Sequence, residues 1–219
     1  MSIVTVDKDS INALIKRMKQ IRNKYPKMVK EFLKRTRIWI MEEANDILYR
    51  SDIGYNIKAT IISQWRLPPI EGYTCQLINE DSSGDGENKA VFVEFGVGSV
   101  GGSSPHPLAF ENGYDYNVPS QYKGSGSKDP DEWSFYSNVE DLDIPKSAIT
   151  KQFSLKGSVR STYTTKSGEV HQYADTRDRS LVYTKGTQGV LFLYNALTNF
   201  KSQGIAKQIW QEVCEEYIK

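Results

Sequence analysis

The sequence predicts an α+β domain: a mostly antiparallel sheet flanked by N-terminal amphipathic helices and a C-terminal helix, with a long loop insertion. Three observations predict it. Apolar residues recur at helical spacing over residues 8–50 and again over 190–217. Between them lie short runs rich in Ile, Val, Thr and aromatic residues, bounded by Gly, Pro and Asn. Residues 96–150 carry little periodicity and much Gly, Ser and acid.

A chain of 219 residues accommodates one such domain, spanning 1–219. Its 13 Tyr, 8 Phe and 4 Trp are enough to build a core, although the hydrophobic share is only 38%.

Residues 9–24 form the first helix. Ile11, Leu14, Ile15, Met18, Ile21 and Tyr25 make one apolar stripe, and Asp9 or Ser10 can cap its start. Pro26 stops or kinks it. Residues 27–50 form a second helix, with Met28, Phe32, Trp39 and Glu43 in one direction. Lys27, Lys30, Lys34 and Arg37 share a different face, so the basic charge is a stripe along a rod. The plain reading of that stripe is a solvated face or one paired with acids on a neighbour; the sharper reading is a face turned towards DNA.

After Gly54 the period changes. Asn56–Trp65, Thr74–Asn79 and Ala90–Phe95 read as the first strands, within 56–95. Val91, Val93 and Phe95 alternate with Phe92 and Glu94, which sets Glu94 opposite the valines. The insertion at 96–150 contains a short strand at Trp133–Tyr136. Residues 152–185 hold a hairpin, Ser158–Thr165 and Glu169–Asp175 about Lys166-Ser167-Gly168, then a strand at Ser180–Thr184. Residues 190–217 form the closing helix, with Gly204 as a bend or a point of close approach.

Charge and chemistry narrow the function. Residues 16–37 hold ten Lys or Arg against Glu31 alone, a net +9 in a chain whose total is +1. Such polarity suits stacking on other subunits or facing a polyanion. No run reaches the roughly 18 apolar residues of a membrane span, and the N-terminus has no secretory-signal pattern. Cys75 and Cys214 are too few for a disulfide framework or a structural zinc site and read as buried structural thiols. His106, between two prolines, and His171, in a hairpin strand, read as surface residues. Asp129–Asp143 carries six acids without a cation-loop spacing and reads as a solvated acidic loop. Gly96–Gly101 matches G-x-G-x-x-G, but the Gly, Ser and Pro residues that follow are not expected to open the helix a dinucleotide needs. Catalytic residues, cofactors and metal ligands are therefore all expected to be none.

Two blocks carry a resemblance. Ala90–Gly98 (AVFVEFGVG) resembles the "vEFGtG" signature of a family of tailed-bacteriophage minor tail components, also called tail-completion or head–tail joining proteins. Gly189–Leu197 (GVLFLYNAL) is similar to that family's second block, roughly "pFLypAl", with Asn195 where the family has proline. The residues matched are Val93, Glu94, Phe95, Gly96 and Gly98, then Phe192, Leu193, Tyr194 and Ala196. The span between the blocks is long for the family, and the N-terminal rod is unusually basic.

What the resemblance implies is a structural virion protein of the phage neck, assembled in the host cytoplasm. It would form a ring, six-fold to match the tail, between the head connector or adaptor and the tail terminator or tail tube. Genomic DNA would pass through without sequence-specific contact, and no membrane or enzymatic step is involved. A close variant is the tail terminator itself. Rivals from other classes are a non-specific nucleic-acid binder using helix 27–50 and an enzyme with a nucleotide loop at Gly96–Gly101.

Overall fold

The computed structural model describes residues 8–80, 89–117, 131–138, 144–155, 159–164, 170–175 and 179–218. The fold is α+β, with a long N-terminal helix, antiparallel sheets and helices at the C-terminus. Where the sequence suggested one domain, the chain gathers into two compact units.

The first unit comprises residues 8–44, 65–78 and 193–218. Its frame is α1 (Lys8–Arg50), together with α5 (Phe192–Ser202) and α6 (Ile205–Ile218). The two N-terminal helices expected from Pro26 are one: α1 runs through the proline. Pro26 has no N–H to return to the carbonyl of Arg22. Both residues are exposed, so water can satisfy that carbonyl, and packing on either side carries the helix across.

The packing is antiparallel. Met28 meets Ile209 and Val213 in a cluster where they are 1%, 6% and 0% exposed. Trp210 stands edge-on to Tyr25 and Phe32, and Trp39 packs on Phe200. Glu43 accepts a hydrogen bond from Asn199 Nδ2 at 2.8 Å, and Lys24 Nζ donates to the Tyr217 carbonyl at 2.6 Å. Arg35 spans Glu31 at 3.0 Å and Glu216 at 2.5 Å. Those two carboxylates, Glu216 first, raise its already high pKa and keep it charged.

The single C-terminal helix expected over 190–217 is divided. Gly204, at φ +71, ends α5, and a Cβ there would meet nothing within 4 Å. It is a left-handed turn between α5 and α6, and no neighbour approaches it.

The second unit comprises residues 45–64 and the described part of 79–192. Two of the expected strands are helices: α2 (Tyr55–Ser63) and α3 (Lys89–Phe95). The strand expected at Thr74–Asn79 is reduced to β2 (Ile78–Asn79), which pairs with β1 (Trp65–Arg66). β-branched residues favour strands only weakly when packing decides otherwise. In α3 the buried set is Ala90, Val93 and Glu94, a helical spacing, while Val91 is exposed. Glu94 therefore shares the inner face with Val93, contrary to the alternation expected.

β3 (Gly96–Val97) and α4 (Gly98–Ser103) follow at once. The insertion also holds β4 (Trp133–Asn138), longer than anticipated, and ends earlier than 150, because β5 (Ile149–Leu155) starts inside it. β6 (Val159–Thr164) and β7 (Val170–Asp175) pair antiparallel, Val159 opposite Asp175 and Thr164 opposite Val170, in the hairpin expected. Its turn, at Lys166-Ser167-Gly168, lies outside the described residues.

β8 (Arg179–Thr184) is the centre of a three-stranded antiparallel sheet, between β4 and β5. Its Ser180, Val182 and Thr184 alternate onto one buried face, all 0% exposed. The hydroxyls there are satisfied: Gln152 Nε2 donates to Ser180 Oγ at 2.9 Å, and Thr184 Oγ1 donates to the Ala148 carbonyl at 2.7 Å. β9 (Gly186–Gln188) then pairs with β3.

Replacing Met28 by Ala is expected to cost roughly 2–5 kcal/mol, because it empties a closed site. Replacing Met18, 62% exposed on the same helix, should change stability by less than about 0.5 kcal/mol. Urea denaturation midpoints of the two variants check this.

Candidate functional site

The two blocks singled out in the sequence meet. The Val190 N–H donates to the Val93 carbonyl at 2.8 Å, and the Leu191 N–H to the Glu94 carbonyl at 3.2 Å. Gly96 pairs with Gln188, and Val97 with Thr187. The approach is closer than side chains permit. A Cβ on Gly96 would lie 2.5 Å from the Gly189 nitrogen, and one on Gly98 would lie 2.5 Å from the Lys185 carbonyl. Both glycines have positive φ, +82 and +70, which lets the backbone turn sharply after Phe95. Leu191 is held at φ +55, where a side chain costs about 1–2 kcal/mol.

Beside this junction lies an aromatic and polar cluster that the sequence did not reveal. Phe95 stacks on Tyr114 at 4.6 Å and lies 4.3 Å from the His106 ring. Tyr114 Oη donates to the Gly96 carbonyl at 2.6 Å. His106 is 3% exposed, not the surface residue expected. Its Nδ1 accepts the Leu108 N–H at 3.0 Å, which leaves the ring proton on Nε2, donated to Glu94 Oε1 at 3.0 Å. A buried carboxylate and a buried imidazole thus satisfy each other. Burial, helped by Tyr116 and Asp115, pushes Tyr114 up to about 12. The side chain of His171 lies outside the described residues.

From the second block, Phe192 and Ala196 are buried, and Leu193 and Tyr194 are half-buried. All four lie in the first turns of α5.

The glycine loop needs a correction. A helix does open in it, α4, so its following residues are no bar. What bears on a phosphate is where its amides point. The Gly98 N–H is donated to the Tyr116 carbonyl at 3.0 Å and the Val100 N–H to the Lys185 carbonyl at 3.3 Å. Two of the first three donors that would cradle an anion are already engaged.

The basic stripe is reduced. Lys27, Lys30 and Lys34 are exposed along α1, with Lys34 Nζ 4.0 Å from Glu31. Arg37 leaves the row: its guanidinium donates to the Pro68 carbonyl, against the segment that follows β1. Of the acidic stretch Asp129–Asp143, Glu132 is buried, not solvated, and accepts hydrogen bonds from Lys151 Nζ at 3.1 Å and from Thr150 Oγ1. Cys75 and Cys214 are free and half-buried; Cys75 lies in the connection before β2, not in a strand.

An open cleft of about 520 Å³ borders Asp52, Ser147, Thr150, Lys185 and Gln188. Ser147 Oγ stands 3.4 Å from Asp52, at the limit of a hydrogen bond, and no histidine lines this cleft. Among the described residues no group of three His, Cys, Asp or Glu could hold a metal ion, and no helix is long and apolar enough to cross a membrane.

Comparison with family models, with curated proteins and with solved structures returns no match.

Two outcomes test this geometry. Gly96→Ala should unfold the second unit or prevent its folding, because the new methyl meets the backbone of Thr187, Gln188 and Gly189 at 2.5–2.9 Å. Gly72→Ala, at φ +58 with nothing within 4 Å, should lose only about 1–2 kcal/mol to backbone strain. Soluble yield and thermal melting compare them.

The second outcome concerns alkaline pH. Tyr114 has a folded pKa above its unfolded value of 10.0, so it contributes stability that is whole below pH 10 and lost as pH rises towards about 12. The urea midpoint should therefore fall more steeply above pH 10 in the wild type than in Tyr114→Phe. Parallel pH profiles would refute this.

Proposed function

We propose that this chain is a structural virion protein of a tailed-phage neck, of the tail-completion or head–tail joining kind. Its copies form a ring around the DNA channel, between the head connector and the tail terminator or tail tube. It works by shape and adhesion and catalyses no reaction.

The observation that carries this reading is the junction of the two family-like blocks. Ala90–Gly98 and Gly189–Leu197 are the blocks that resemble the neck family, and here the first is bound to the start of the second through main-chain hydrogen bonds and glycine contacts. Val93, Glu94 and Gly96 of the first block thus hold the residues that lead into Phe192, Leu193, Tyr194 and Ala196 of the second, a structural task of the kind an architectural protein requires. The Glu of the first block is buried against His106, a role in support of the fold. A second support is charge: a ring joins unlike patches of one surface, and this chain carries a strongly basic segment against an acidic remainder.

The rival nucleic-acid reading has the exposed row Lys27, Lys30 and Lys34 in its favour. It loses Arg37, which is occupied by the Pro68 carbonyl. The tail-terminator variant differs only in position, since a terminator touches the last tube ring directly.

Labelling intact particles with gold-conjugated antibody against this chain is expected to mark the neck, and the purified protein is expected to form rings whose mass is a multiple of 24.9 kDa. A chain missing from purified particles ends the proposal and leaves the nucleic-acid reading.

A further inference from the structure

The apolar stripe of α1 has a coiled-coil rhythm. Ile11, Leu14, Met18, Ile21, Tyr25, Met28 and Phe32 alternate steps of three and four residues. The C-terminal part of this seam is covered: Met28 and Phe32 lie under Ile209, Trp210 and Val213 of α6. The N-terminal part is not. Ile11, Leu14, Ile15 and Met18 are 43%, 59%, 45% and 62% exposed. Lys24, at the edge of the cover, is bonded to the Tyr217 carbonyl of α6. From Lys8 to Gln20 the seam runs on for about 18 Å with Ile11, Leu14, Ile15 and Met18 exposed, and the end of α6, at Tyr217 and Ile218, reaches only the hollow that Lys16, Gln20 and Ile21 border.

The chain itself displays what fits such a seam. α6 presents Ile209 and Val213 to α1 and carries Glu212, Glu215 and Glu216 around them; Glu216 pairs with Arg35. The uncovered part is more basic still. Over residues 8–30 Asp9 is the one acid, and Arg17, Arg22 and Lys24 flank the seam on both sides, all exposed. Two copies of this helix laid together would set those cations against one another, which disfavours self-pairing. A membrane surface is the poorer match: residues 8–24 contain no aromatic side chain, and the charges border a narrow stripe where an interfacial helix needs a wide apolar face. A groove of about 820 Å³ runs along Ile15, Met18, Ile21, Arg22 and Tyr25, walled by the exposed ring of Tyr73. It offers space for the apolar side chains of a second helix.

We infer that residues 8–24 of α1 are a docking seam for an amphipathic helix of another protein, apolar along one line and acidic on its flanks. This does not rest on the neck assignment; it follows from the continuity of one seam and its flanking charge.

The test uses the full chain and labelled three-heptad peptides with Leu along the seam, one with Glu at the flanking positions and one with Lys. Fluorescence anisotropy at physiological salt should show the Glu peptide binding at least about tenfold more tightly than the Lys peptide. The variant Leu14→Ser with Met18→Ser should weaken the Glu peptide by about tenfold or more, while its thermal melt stays at the wild-type value because both side chains are exposed. Equal binding of the two peptides, or a double variant that binds as well as the wild type, overturns the inference. So does concentration-dependent dimerisation that the double variant abolishes, or capture by phosphatidylglycerol vesicles in place of the Glu peptide.

Discussion

At β3 and β9 two stretches of main chain lie closer than any side chain allows. A Cβ on Gly186 would stand 1.9 Å from the Val97 carbonyl oxygen, and one on Gly189 would stand 2.4 Å from that of Glu94. This contact positions everything around it. It turns the chain from α3 into α4, sets Gly98 against the ring of Trp133, and delivers Leu191 into α5. Main-chain contacts of this kind are specific because geometry alone excludes substitutes. The surrounding cluster of Phe95, His106 and Tyr114 covers the junction and gives its buried carboxylate a partner.

The first unit is organised by a different principle. Its helices meet through a seam of large apolar residues, Met28, Phe32, Trp39 and Trp210 among them, that any well-matched amphipathic helix could share. Hydrophobic packing is tolerant in this way; it asks for volume and pattern more than for particular atoms. Selectivity then comes from the charges beside the seam, as with Arg35 between Glu31 and Glu216. The proposed role in a ring would call on both kinds of contact: a rigid body to hold its shape, and adaptable surfaces to meet neighbours that differ.

Legibility in the sequence followed the range of the interactions. Helical periodicity over residues 8–50 and 190–217, and the alternating strands of the hairpin and of β8, were visible because they are local patterns. Residues 56–65 and 90–95 suggest strands in the sequence because their Ile, Val and Phe content favours sheet in isolation, whereas helices α2 and α3 occupy most of them. In α3 the burial of Ala90, Val93 and Glu94 follows a helical spacing, and α2 buries Ile61. Pro26 signalled a break that packing on α6 overrode. His106, flanked by prolines, gave no local sign of burial, because its partner Glu94 is brought to it by the turn at Gly96 and Gly98.

The sequence by itself determined the helical termini, the basic segment and the two glycine-bearing blocks, since each depends on neighbours within a few turns of the chain. Only the tertiary structure decided that the two blocks join, that Arg37 turns to Pro68 and away from the lysine row, and that the start of α1 is left uncovered. Those outcomes depend on which distant segments come within contact range, and periodicity carries no information about that.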